Sequence, residues 1–176
     1  GMQFHCINNT AHGELDLTGA LEKSCNCYFI SAARALGSQK VLSMAYNLGF
    51  GQAQEFGRGL WAASGDLPAL QDLSNVRALA NFSFGQGELT ATPLQLTETP
   101  SSADREGRVM KASTAQALRE ALLSAAREGT GSPGAPENGT AGIKTGTAQT
   151  GVYEEGKELL HFWYCGFVCG SSGPRW

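Results

Sequence analysis

The chain has 176 residues, of which 41% are hydrophobic and 16% charged, and 13 basic against 16 acidic side chains give a formal charge of −3. This length and composition suit one folded domain with a sizeable core and exclude a disordered chain. The weak negative charge gives no reason to expect a nucleic-acid partner, and no apolar run approaches the roughly 20 residues needed to cross a bilayer.

Helices are predicted in the first third of the chain. Apolar residues recur at helical spacing from Leu15 to Leu36, and Asp16 or Thr18 is placed to cap the first piece. The segment Ser24-Cys25-Asn26 therefore falls between two short helices, in a turn that can aim side chains outward. A further amphipathic helix is predicted from Ser38 to Leu48.

The middle of the chain gives weaker signals. Phe50 to Ala69 is rich in glycine and polar residues and is predicted to be irregular and poor in strand. Pro93 suits the first turn of a helix, and Thr99 to Arg108 is predicted to be a loop. The clearest helix is Ser113 to Glu128, with Ser113 as its N-cap and Gln116 completing a capping box.

A β-hairpin is predicted near the C-terminal end. Thr140 to Ala148 and Leu159 to Val168 have the character of extended segments, and the polar turn Glu154 to Lys157 separates them. The residues expected to pack beneath this hairpin are Phe162, Tyr164 and Phe167.

The cysteine content does not indicate a disulfide framework, because the number is odd and the chain is long. The five are Cys6, Cys25, Cys27, Cys165 and Cys169. On a strand, Cys165 and Cys169 would lie about 13 Å apart, too far for a bridge. Zinc binding through Cys25, Cys27 and Cys165 is conceivable, but the spacing matches no usual ligand pattern. Buried thiols and no metal are therefore predicted.

Two short motifs carry groups suited to acyl transfer. In Lys144-Thr145-Gly146-Thr147, strand alternation sends Lys144 and Gly146 to one face and the two threonines to the other. Gly146 lets a substrate backbone lie close, while the N–H of Thr147 can face a developing oxyanion and threonine hydroxyls can hold a carboxylate. In the other motif, Ser24 offers a hydroxyl able to relay a proton and Asn26 an amide able to bind a peptide carbonyl.

These motifs and their surroundings resemble the transpeptidase domain of high-molecular-weight penicillin-binding proteins, a family related to the serine β-lactamases. S-x-N and K-T-G-T are two of its three catalytic signatures. Four segments match in the family's order, residues 12–29, 84–96, 128–131 and 141–149. The resemblance implies an α/β (α+β) fold in which a mostly helical lobe flanks an antiparallel sheet. Residues 1–176 would form a partial domain, with 3–139 as the lobe that carries S-x-N and 140–170 as the K-T-G-T hairpin.

The same resemblance implies a role for each matched residue. Ser24 would be the proton-relay serine, and Asn26 would orient the amide of the substrate or β-lactam. Lys144 would favour anionic substrates and tune the relay. Thr145, Gly146 and Thr147 would contact the substrate, with the Thr147 N–H as half of the oxyanion hole.

The family's third signature, S-x-x-K, is absent. The positions three residues before the five lysines hold Ala20, Gly37, Arg108, Ala141 and Glu154. In the family this motif lies well upstream of S-x-N, and only 23 residues precede Ser24. We therefore expect part of a D,D-transpeptidase, incomplete at both ends and inactive alone. A nucleophile-free module that only binds peptidoglycan stem peptides or β-lactams stays open as the alternative.

The resemblance also implies partners and a location. Peptidoglycan stem peptides and β-lactams are the implied ligands, with no cofactor. The parent protein would act on the extracytoplasmic face of the bacterial cytoplasmic membrane, anchored there within a cell-wall synthesis complex. This chain itself contains no signal or transmembrane segment.

Overall fold

The computed structural model describes residues 3–96, 109–170 and 173–175. The chain divides into two compact units, residues 1–25 with 116–176 and residues 26–115. The division expected from the sequence, 3–139 and 140–170, followed secondary structure rather than contacts and stays a prediction. Among the described helices, none combines the length and the apolar character needed to span a membrane.

The elements mix helices with antiparallel sheets, as the fold class predicted. In chain order they are α1 (Leu17–Glu22), α2 (Asn26–Leu36), α3 (Ser38–Asn47), β1 (Gln54–Gly57), β2 (Leu60–Ala62), α4 (Val76–Ser83), α5 (Ala112–Glu128), β3 (Thr140–Glu154), β4 (Lys157–Gly170) and β5 (Gly173–Arg175). Residues 93–96 are also helical, with Pro93 first, as predicted. The predicted loop Thr99 to Arg108 lies outside the described residues.

The start of the first unit follows the sequence pattern closely. Asp16 caps α1, since its carboxylate accepts a hydrogen bond from the N–H of Gly19 at 2.8 Å. The helix ends at Glu22, and a break of three residues separates it from α2. Ser24 lies in this break, so the predicted turn between two short helices is confirmed.

The first unit is built on a three-stranded antiparallel sheet, β3-β4-β5. The predicted hairpin is confirmed, with Glu154 paired to Lys157 at its turn and both strands longer than expected. On one face of β3, Ala141 and Ile143 are buried with Ala126 of α5.

The expected packing of the hairpin was partly wrong. Phe167 is 3% exposed, but Phe162 is 73% and Tyr164 56% exposed. The strand period of two explains the difference, because Phe162 and Tyr164 share one face of β4 and Phe167 belongs to the other. The Phe167 ring covers Gly142 so closely that a Cβ at Gly142 would lie 2.4 Å from it.

In the second unit, α2 packs on α4. Ile30 and Ala33 are buried on α2, and Leu79 and Phe82 on α4. Asn75 caps α4 by accepting from the N–H of Arg77 at 2.9 Å. This cap begins a short helix whose apolar residues are gathered on its buried face.

Gln95 ties together three backbone segments of the second unit. It is 1% exposed, and its Nε2 donates to the carbonyls of Gly49 at 3.1 Å, Gln52 at 3.3 Å and Ser64. Its Oε1 accepts from the N–H of Thr92 at 3.0 Å. One buried amide therefore replaces water for carbonyls that lie in irregular chain.

Two local expectations were wrong. Phe50 to Ala69, expected to be poor in strand, contains the two-stranded sheet β1-β2, whose strands of four and three residues are too short for alternation to show. Helix α5 begins at Ala112, so Ser113 lies inside it rather than at its N-cap. Gln116 bonds forward to Glu120 at 2.8 Å instead of completing a capping box.

Candidate active site

The centre of the candidate site is a contact between two residues 120 positions apart in the chain. Lys144 Nζ donates to Ser24 Oγ at 2.6 Å and to its neighbour's carbonyl oxygen, that of Thr145, also at 2.6 Å. Both residues belong to the first unit. The structure therefore brings together the serine of S-x-N and the lysine of K-T-G-T. Their predicted roles need such a contact and stay predictions.

Ser24 is held in an uncommon backbone conformation. Its φ is 49°, in the left-handed region that most residues other than glycine avoid. This conformation ends α1 in the manner of a helix C-cap, because the N–H of Ser24 bonds the carbonyl of Leu21 at 3.2 Å and that of Cys25 bonds Ala20 at 2.9 Å. These backbone bonds fix the direction of the Ser24 side chain.

Lys144 is half-buried on β3, opposite Cys165 of β4. Burial lowers the pKa of Lys144 below its usual value of 10.5, because desolvation penalises the ammonium. Burial likewise raises the pKa of the Cys165 thiol. Among the described residues no carboxylate pairs with Lys144, so its two oxygen partners are neutral. An anionic ligand would find an uncompensated ammonium here.

Thr145 makes a second contact across the first unit. Its Oγ1 lies 2.7 Å from Oγ1 of Thr130, in the loop after α5. The backbone N–H of Thr130 in turn donates to the carbonyl of Glu22, at the end of α1, at 3.0 Å. Thr130 therefore links the strand of K-T-G-T to the helix that precedes Ser24.

Close packing reinforces this link. The hydroxyl of Ser124 on α5 donates to the Glu22 carboxylate. A Cβ at Gly129 would lie 2.5 Å from the carbonyl oxygen of Glu22, so only glycine allows this approach. The end of α1 is thus held against α5 and the following loop, which sets the distance between Ser24 and β3.

Gly146 and Thr147 complete the strand motif. A Cβ at Gly146 would meet only Trp163 Cβ, at 3.5 Å, an ordinary contact. Among the described residues, nothing would clash with an alanine methyl group at position 146. Thr147 is exposed and pairs across the ladder with Phe162.

Asn26 does not belong to the same unit as Ser24 and Lys144. It is the half-buried first residue of α2 and belongs to the second unit. Its role in orienting an amide stays a prediction.

Sequence reasoning missed the supporting residues Glu22, Ser124 and Thr130. Glu22 and Thr130 lie in segments that matched the family, residues 12–29 and 128–131, so the resemblance carried a signal for both. Ser124 lies outside the matched segments, on a helix where a polar residue has no distinguishing pattern.

The described groups suit acyl transfer at a carbonyl. An ammonium, a serine hydroxyl and two threonine hydroxyls line the joint between β3 and the end of α1. Because Ser24 Oγ accepts from Lys144, its own proton can point away from the lysine and be given to another atom. The lysine supplies positive charge for an anionic ligand.

Comparisons with known proteins identify the family of the chain. Residues 2–176 match the family described as penicillin binding protein transpeptidase domain. Stage V sporulation protein D of Bacillus subtilis is 27% identical over 92% of this chain and 30% of its own length. Peptidoglycan D,D-transpeptidase FtsI of Escherichia coli K12 is 31% identical over 97% of this chain and 32% of its own. The chain thus spans about a third of the length of these curated relatives.

A solved structure shows the same fold. Penicillin binding protein 3 of Mycobacterium tuberculosis, complexed with ampicillin, superposes with a TM-score of 0.73 at 22% identity, covering 91% of this chain and 43% of that one. The predicted transpeptidase-like fold is confirmed. With its family match over nearly every residue, the chain belongs to the penicillin-binding protein transpeptidase domain family.

Proposed function

We propose that this chain supplies the substrate-binding and proton-relay side of a serine D,D-transpeptidase that cross-links peptidoglycan stem peptides. The observation that carries the proposal is the 2.6 Å hydrogen bond from Lys144 Nζ to Ser24 Oγ. It joins two of the family's three signatures in the geometry that a proton relay needs.

In the proposed reaction a serine hydroxyl attacks the carbonyl of the penultimate D-Ala and expels the terminal D-Ala. Ser24 accepts the proton that the attacking serine loses and hands its own proton to the departing nitrogen. The hydrogen bond from Lys144 to one lone pair of Ser24 Oγ aims the hydroxyl there. Thr145 and Thr147 hold the terminal carboxylate, and the Thr147 N–H faces the oxyanion. Lys144 favours the anionic substrate and tunes the relay. Asn26 orients the amide. An amine of a second stem peptide then takes the acyl group.

The attacking serine is not assigned to this chain, since no lysine has a serine three residues before it. We propose that another segment of the parent protein provides it, outside the cytoplasmic membrane. β-Lactams mimic the same substrate, and the ampicillin complex of a protein with this fold supports them as ligands.

Intact mass after incubation with excess benzylpenicillin tests the assignment of the nucleophile. We expect no covalent adduct on this chain, and a stoichiometric adduct on the full-length parent. An adduct on this chain that disappears when one of its serines is replaced would refute the proposal, because a nucleophile would then be present.

Binding of an N-acyl-D-Ala-D-Ala peptide, followed by NMR, tests the proposed substrate-binding role of this chain. The D,D-peptide should shift the amides of residues 144–147, and Lys144→Ala should abolish the shifts. The L,L-peptide is the matched control ligand and should leave the spectrum unchanged. If the parent also stays unacylated while this chain binds the peptide, the binding-module alternative is correct instead.

A further inference from the structure

A cluster of three metal-ligating side chains lies in the first unit beside Ser24. Cys6, His12 and Cys25 each place a ligand atom within 4.8 Å of the other two. The thiols are buried, at 6% and 5% exposure, and their sulfurs lie 3.6 Å apart. No role in the proposed transpeptidase reaction uses any of the three.

The sulfur separation fits a tetrahedral zinc ion. With Zn–S bonds of about 2.3 Å, the tetrahedral angle puts two thiolate sulfurs about 3.8 Å apart, close to the 3.6 Å observed. A disulfide requires an S–S bond of about 2.05 Å, so the same pair would have to move more than an ångström closer.

His12 gives independent support for a ligand at this position. Its Nδ1 is buried and has no hydrogen-bond partner among the described residues. A buried polar nitrogen without a partner costs about 1–3 kcal/mol, and coordination to a metal removes that cost. His12 is followed by Gly13, whose φ of 71° lies in the left-handed region that favours glycine.

The charge balance also favours a divalent ion. Two thiols that lose their protons supply two negative charges, which neutralise Zn²⁺ and leave no net charge in a buried site. Sulfur and imidazole ligands select zinc over magnesium or calcium, which prefer oxygen. No fourth His, Cys, Asp or Glu completes the group within the described ranges, so a water molecule would take the fourth position.

We propose that Cys6, His12 and Cys25 bind one Zn²⁺ ion, with release of two thiol protons. This set differs from the one considered from the sequence, which paired Cys25 with Cys27 and Cys165, and it replaces the expectation of no metal. The ion fastens the segment before α1 to the residue directly after Ser24. It therefore fixes the backbone that aims the Ser24 hydroxyl at Lys144.

Native mass spectrometry of the reduced chain, dialysed with Zn²⁺ and then against a weak chelator, tests the site. We expect one zinc ion per chain, with two protons fewer than the sum of protein and ion. Co²⁺ in place of zinc should give the intense visible bands of a tetrahedral site and a near-ultraviolet thiolate-to-metal band. The proposal is overturned by wild-type protein without bound metal, or by loss of two hydrogens through a Cys6–Cys25 disulfide.

Matched variants locate the ligands. Cys6→Ser, Cys25→Ser and His12→Ala should each lose the retained zinc, whereas Cys27→Ser, a half-buried cysteine two residues from Cys25, should keep it. The melting temperature of wild type and Cys27→Ser should rise with the logarithm of zinc concentration, and that of His12→Ala should not. Equal zinc retention in Cys27→Ser and Cys6→Ser would refute the assignment even if one variant folds poorly, because the wild-type measurement stands on its own.

Discussion

Two glycines on the same face of β3 allow a test of what glycine does in K-T-G-T. A Cβ at Gly142 would lie 2.4 Å from the Phe167 ring, whereas at Gly146 it would meet only Trp163 Cβ at 3.5 Å. Gly142→Ala must displace a buried aromatic ring, which costs about 1–3 kcal/mol for an overpacked core. Gly146→Ala should change stability by less than about 1 kcal/mol, because alanine fits and restricts the unfolded chain.

Thermal denaturation measures the stability of both variants, and NMR titration with N-acyl-D-Ala-D-Ala measures ligand binding. We expect Gly142→Ala to lower the melting temperature by roughly 2–12 °C for a domain of this size. Gly146→Ala should melt like wild type yet bind the peptide weakly, since its methyl group occupies the space where the ligand backbone lies.

Two results would contradict this reasoning. If Gly146→Ala destabilises the chain as much as Gly142→Ala, then Gly146 serves the fold rather than the ligand. If Gly146→Ala binds the peptide as wild type does, no ligand backbone lies close to that strand.

Three further predictions concern single side chains. Because burial lowers the pKa of Lys144, the folded state binds fewer protons than the unfolded state between that lowered pKa and 10.5. The free energy of unfolding should therefore rise with pH in this window. Urea titrations at several pH values should show the rise in wild type and its loss in Lys144→Met. Gln95→Ala should cost about 2–4 kcal/mol in chemical denaturation, since buried carbonyls lose their donor, while Gln116→Ala on exposed α5 should cost little. Thr130→Val should weaken peptide binding measured by NMR without unfolding the chain, because it removes the hydrogen bond that positions Thr145. Unchanged binding would show that this hydrogen bond does not contribute to peptide binding.

Sequence patterns predicted those parts of the structure that depend on residues a few positions apart in the chain. The α1 cap, the break at Ser24 and the β3-β4 hairpin were predictable, because capping, helical spacing and strand alternation act within a few residues. The exposure of Phe162 was predictable in principle, since it lies an odd number of positions from Phe167 and must face the other way.

Other features depend on contacts that local patterns do not record. The Ser24–Lys144 contact came from the family resemblance, because no local rule joins residues so far apart. The contact between Thr130 and Thr145 and the buried role of Gln95 were missed, because both depend on contacts between separate segments of the chain. The cluster of Cys6, His12 and Cys25 was missed because its spacing resembles no familiar zinc pattern, and only the fold of residues 6–25 brings the sulfurs together.

The wide separation of Ser24 and Lys144 also has a kinetic consequence. The first unit is made of two segments, 1–25 and 116–176, with residues 26–115 between them. At about 5–20 residues per second of synthesis, the ribosome needs roughly 6–24 s to add the 120 residues between the two partners. Residues 26–115, a continuous segment, can fold during that delay. The contact between Ser24 and Lys144 can therefore form only after the α2–α4 core has been synthesised, and refolding should recover it more slowly than that core.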